Sequence, residues 1–104
     1  MDYSLIFITC PNKIEAKRIA CQLLENKLAA CVNIVGKIKS LFWWEGKVDK
    51  ANEVLLIIKS KKSKLAKIIK QVKLLHSYQV PEIIVIPIIG GNKVYLKWID
   101  ESIR

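Results

Sequence analysis

Two strand–helix–strand halves in one α+β domain are predicted by three observations. Runs of β-branched and aromatic residues alternate with segments whose apolar residues recur at helical spacing. Glu45-Gly46-Lys47 is a turn signal between two long extended segments, which makes them a hairpin. A length of 104 residues fits one domain and leaves no room for two.

Tyr3 to Cys10 is the first strand, stopped by Pro11-Asn12. Asn12 can cap a helix, and Glu15 three residues later completes a capping-box pattern. That helix runs to Glu25 or Asn26, with Ala16, Ile19, Ala20, Leu23 and Leu24 at helical spacing. Ala29 to Trp44 is extended, with Gly36 as a bulge or bend. After the turn, Glu53 to Lys59 returns as a strand, and the unbroken apolar run Val54 to Ile58 suits burial on both faces. Ser60 to His76 is a helix with Leu65, Ile68, Ile69, Val72 and Leu75 on its apolar face, ended before Pro81. Ile83 to Ile89 is the last strand, and Pro87 places this part at a sheet edge or bulge. Gly90-Gly91-Asn92 leads into a short terminal helix carrying Val94, Tyr95, Trp98 and Ile99. The order βαββαβ with an added C-terminal helix and a long β2–β3 hairpin is the split βαβ pattern of ferredoxin-like folds. Its helices are expected over one sheet face. Val32, Ile34, Leu55 and Ile57, or their alternates, would leave the other face apolar, and only another copy of the chain would cover it.

Composition narrows the class of function. Hydrophobic residues make up 52% of the chain, too many for a disordered segment. No stretch approaches the roughly 18 apolar residues of a membrane span. Met1 to Leu5 has no basic run of the signal-peptide kind. Cys10, Cys21 and Cys31 form no CxxC pair, which argues against a zinc finger and for a reduced compartment. A cytoplasmic protein without a membrane partner is therefore expected. Eighteen Lys and Arg against nine Asp and Glu give a net charge of +9. Charge alone carries no specificity, and a solvated cationic surface is the simpler reading. Nucleic acid is not expected as a partner, because the run Val54 to Ile58 lacks the stacking aromatics of an RNA-binding sheet. No Ser-His-Asp, Cys-His-Asn or paired-carboxylate constellation stands out, so no enzyme is expected.

Four strings carry a resemblance. Leu28-Ala29-Ala30-Cys31-Val32-Asn33, Trp43-Trp44-Glu45-Gly46-Lys47, Val80-Pro81-Glu82-Ile83 and Tyr95-Leu96-Lys97-Trp98, in this order and spacing, resemble the CutA family of divalent-cation tolerance proteins. The resemblance covers essentially the whole chain. It implies a cytoplasmic homotrimer linked to copper and other divalent ions, with no settled reaction and no essential cofactor. Cys31 offers a soft thiolate, His76 the only imidazole, and Glu82 a carboxylate at the start of an apolar strand, so these three are the candidate metal ligands. Two further ligands proposed for copper-binding members fall on Leu75 and Ile8 here, and Cys10 is taken to face away from Ile8. Trp43 and Trp44, before the turn, are expected on opposite faces as interface anchors.

An alternative is a trimeric sensor of a small anion, of the PII kind that the family resembles in fold. Lys59 to Lys73 holds seven lysines and no acid, and Lys59, Lys61 and Lys62 cluster where the second helix is expected to begin. Positive charge there opposes the helix dipole unless an anion sits between the side chains.

Overall fold

The computed structural model describes residues 2–104, so Met1 of the amino-terminal run lies outside the described residues. Its elements are β1 (Tyr3–Cys10), α1 (Lys13–Glu25), β2 (Cys31–Trp44), β3 (Lys47–Lys61), α2 (Leu65–Leu75), β4 (Ile83–Ile88) and α3 (Lys93–Ser102), with one 3-10 turn (Lys62–Lys64) before α2. The four strands form one sheet in the order β2-β3-β1-β4, and every pairing is antiparallel. No helix among the described residues is long and apolar enough to cross a membrane.

Strand alternation sets the core. Even-numbered Ile6, Ile8 and Cys10 of β1 and Val54, Leu56 and Ile58 of β3 point to one face, where α1 supplies Ala16, Ile19 and Leu23 and α2 supplies Ile68 and Val72. Ile8 and Cys10 are both fully buried there, so Cys10 shares the face of Ile8 rather than facing away, as residues two apart on a regular strand must. Asn12 accepts the Glu15 N–H at 2.8 Å and caps α1 as expected. Glu15 does not close the box. Its carboxylate turns away to Ser77. Lys27, at φ 57°, ends α1 with Leu28 N–H bonded back to the Leu23 carbonyl, a left-handed cap usually given to glycine.

Both boundaries of β3 and the placement of the helices differ from expectation. β3 begins at Lys47, not Glu53, because the polar residues Lys47 to Asn52 pair along the whole hairpin with Ile38 to Trp44. It also continues to Lys61, so Lys59 and Lys61 lie in the strand and not at a helix start. The helices do not share one face. Lys61, on the side of the sheet opposite the core, pairs with Asp100 of α3 at 2.9 Å, and α3 therefore lies over one end of that second face. Its Ile99, and Ile103 just past its end, are fully buried.

The rest of the second face is open. Leu5, Phe7, Leu55 and Ile57 are half-buried, and Ile84 and Ile86 of the edge strand β4 are exposed. Val32 and Ile34 belong instead to the core side, opposite Ile58 and Leu56. Gly36-Lys37 is a bulge: the register passes from Val35↔Leu55 to Ile38↔Glu53, one residue longer in β2 than in β3. Beyond it the even-numbered β2 residues Ile38, Phe42 and Trp44 join the open face.

Candidate functional site

The bulge and the loop from α2 to β4 make a cleft. Thr9 at the end of β1, Phe42 and Trp44 of β2, Asp49 and Glu53 of β3, and Tyr78 to Glu82 of the loop line about 560 Å³. Were β2 to alternate regularly through Gly36-Lys37, without the bulge, Leu41 and Trp43 would take the places of Phe42 and Trp44 on this side. Trp43 and Trp44 do point to opposite faces, and they are 75% and 52% exposed in the single chain.

A hydrogen-bonded chain holds the floor of the cleft. Glu53 is buried, and its Oε2 accepts the Tyr78 hydroxyl at 2.9 Å. The Tyr78 backbone N–H donates to His76 Nδ1 at 3.1 Å, and His76 Nε2–H donates to the Thr9 carbonyl at 2.7 Å. Glu15 Oε2 lies 3.4 Å from the same Nδ1 and accepts the Ser77 N–H and hydroxyl, each at 3.1 Å. Burial, then the bond to Glu53 and the charge of that carboxylate, push the Tyr78 phenol up to about 12. Cys10, beneath, is pushed up to about 12 by burial and by the Glu15 and Glu53 carboxylates. A thiol held this firmly protonated is a poor metal ligand, since binding needs the thiolate.

The three candidate metal ligands do not meet in the chain. His76 is buried at the end of α2 with both ring nitrogens already bonded to the protein. Cys31 is half-buried at the start of β2, beside Lys59, whose Nζ lies 3.9 Å from its Sγ. Through the ladder Cys31↔Lys59↔Leu5 it sits four residues along from Thr9, about 13 Å at the usual strand rise. Glu82 is exposed on the cleft rim. Among the described residues no three His, Cys, Asp or Glu side chains converge as a cation centre. The donors of this chain therefore do not fit a dedicated metal site.

The lysines named for an anion are also spread. Lys59 donates to Asn33 Oδ1 and lies beside Cys31, and Lys61 is tied to Asp100. Only Lys62, in the 3-10 turn, points free to solvent. Tyr95 of α3 approaches Cys31, and burial, with Cys31 beside it, raises its phenol.

Sequence reasoning missed Glu53, Asp49, Phe42 and Tyr78 as neighbours. Glu53 had a signal: an acid that alternates with Leu55 and Ile57 along a strand shares their face and needs a donor there. The others depend on the bulge and on the path of the loop.

Comparison with known proteins follows the same outline. Residues 4–102 match the family described as CutA1 divalent ion tolerance protein. A divalent-cation tolerance protein CutA of Archaeoglobus fulgidus is 52% identical over 98% of this chain and 99% of its own length. A chloroplastic Protein CutA 1 of Oryza sativa is 50% identical over 96% of this chain, which spans 56% of the rice protein. The crystal structure of CutA1 from Oryza sativa superposes with a TM-score of 0.96 at 48% identity, covering 100% of this chain and 95% of that one. A structure described as the periplasmic divalent cation tolerance protein CutA from Archaeoglobus fulgidus gives 0.95 at 51% identity, with 98% and 99% covered. By family match, by identity along nearly its whole length and by fold, this chain belongs to the CutA1 divalent ion tolerance family.

Proposed function

We propose that the protein acts in divalent-cation tolerance as a cytosolic homotrimer, without catalysis and without an essential cofactor. The observation that carries the assembly is the open sheet face, where Leu5, Phe7, Leu55, Ile57, Ile84 and Ile86 form apolar surface that α3 covers only at one end. A contiguous apolar face of this kind is the mark of an interface. Three copies is the number that the family resemblance implies.

Since no cation centre forms inside one subunit, copper or another divalent ion would be held weakly, at seams between subunits, where Cys31 and Glu82 remain the reachable donors. His76 takes part only by giving up a bond to Thr9 or Tyr78. The test is the native mass of dilute protein together with copper calorimetry on the wild type and on His76→Ala. The expected mass is three times 11.9 kDa, with weak and equal copper heats in both proteins. A folded monomer would remove the assembly. A tight, stoichiometric copper site lost in His76→Ala would overturn the weak-binding account.

A further inference from the structure

The helical layer carries a surface of its own. α1 and α2 cover the core face of the sheet, so their exposed sides lie across the sheet from the open face that the proposed assembly uses. Six cations stand there: Lys13, Lys17 and Arg18 on α1, and Lys67, Lys70 and Lys73 on α2. Of the nine acids in the chain, Glu25, the last residue of α1, is the only one exposed on either helix, because Glu15 is turned inward to Ser77. Arg18 also donates to the Leu75 carbonyl at 3.0 Å, which ties the helices together and joins their exposed rows into one surface. The other exposed positions of α1 and α2 are Ile14, Cys21, Leu24, Ala66 and Leu74. Ile14 is 84% exposed and Leu74 78%. No hydroxyl, amide or aromatic side chain stands among these exposed positions.

We propose that this face docks on a membrane surface rich in acidic phospholipid headgroups. The six cations supply the attraction to the headgroup phosphates and carboxylates, and four to eight basic side chains in one cluster are enough for such binding. Ile14 and Leu74 reach past the headgroups to the acyl boundary, as aliphatic side chains do on helices that lie flat on a bilayer. The mixture of cations with aliphatics favours lipid over nucleic acid. A nucleic-acid surface adds hydrogen-bonding side chains for the backbone and rings for the bases, and this face exposes neither. Contact of this kind needs no membrane-spanning helix. The docking goes beyond cation tolerance and does not depend on it, since it uses neither the candidate metal ligands nor the open face.

The probe is a sucrose-loaded vesicle of phosphatidylcholine with about 30% phosphatidylserine, sedimented with the intact protein at about 0.1 M salt. The protein should pellet with these vesicles, stay in solution with pure phosphatidylcholine, and be released at about 0.5 M salt. Lys67→Gln, Lys70→Gln and Lys73→Gln together should weaken binding on the order of a hundredfold. Lys47→Gln, Lys93→Gln and Lys97→Gln remove the same charge elsewhere on the surface and should weaken it far less. Ile14→Ser with Leu74→Ser should weaken it at least about tenfold with the charge unchanged. All these side chains are exposed, so the fold is retained in each variant. No pelleting with the acidic vesicles, or equal pelleting with both lipids, overturns the proposal. An equal loss in the two lysine triples overturns it by reducing the effect to net charge. Vesicle binding untouched by the two serines, with a single-stranded oligonucleotide held as tightly, would make the face a nucleic-acid surface and overturn it as well.

Discussion

His76 and Tyr78 hold the end of β1 to the loop before β4 with one ring and one hydroxyl. His76→Ala removes the bonds to Thr9 and Tyr78 from a buried place and should cost about 1–3 kcal/mol in urea denaturation. Tyr78→Phe leaves Glu53 buried without its phenol donor and should cost a similar amount, about 1–3 kcal/mol. The same residues give a pH signature. Tyr78 is raised from 10.0 to about 12 and Cys10 from 9.0 to about 12, so the fold favours both protonated forms. Their contribution is complete below the ordinary values and is lost as pH climbs to about 12. Denaturation midpoints should therefore fall across that alkaline window, and fall less in Tyr78→Phe. At this scale the sequence was partly legible. Asn12 read as a cap and is one, because capping is local. Glu15 read as its partner and is not, because Ser77 comes to it from 62 residues away, which no local pattern shows.

Among the elements, α3 is the one that depends on charge. Lys61 and Arg104 both reach Asp100, and Lys61 above all holds its carboxyl below the ordinary value. A depressed carboxyl stabilises above its unfolded pKa, and that contribution is lost as pH falls below it. Asp100→Asn should therefore loosen α3 at neutral pH, seen as faster amide exchange in α3 and a changed Trp98 emission. Exchange in β1, which is paired on both sides, should stay slow. At the hairpin tip Glu45 and Gly46 have φ of 49° and 78°, the left-handed pair of a tight two-residue turn. Gly46→Val should cost about 1 kcal/mol through backbone strain alone, since no atom crowds the position. The turn was legible because Gly46 marks it. The length of β3 was not, because Lys47 to Asn52 carry no apolar alternation and form a strand only by pairing with β2.

For the whole molecule, the proposed assembly rests on the open face. Phe7 lies between Ile57 of β3 and Ile84 of β4, so Phe7→Asp places a charge in the middle of the apolar surface. Its sedimentation mass should fall to that of one chain, and its melting temperature should fall with it. The apolar face was legible from the strand runs, although its membership was not, since alternation alone could not say which set α1 and α2 would cover. The candidate cleft was the least legible feature, because its walls come from a hairpin and a loop that meet only when folded. One consequence follows for variation in chain length. Gly36-Lys37 works as a parity switch: dropping one residue there would restore plain alternation from Val35 to Ile38 and keep Phe42 and Trp44 at the cleft, whereas dropping both would bring Leu41 and Trp43 to it, turning the wall inside out without altering a single side chain downstream. The one-residue loss matches β2 to β3 in length, so at this point the hairpin should tolerate shortening by one better than by two.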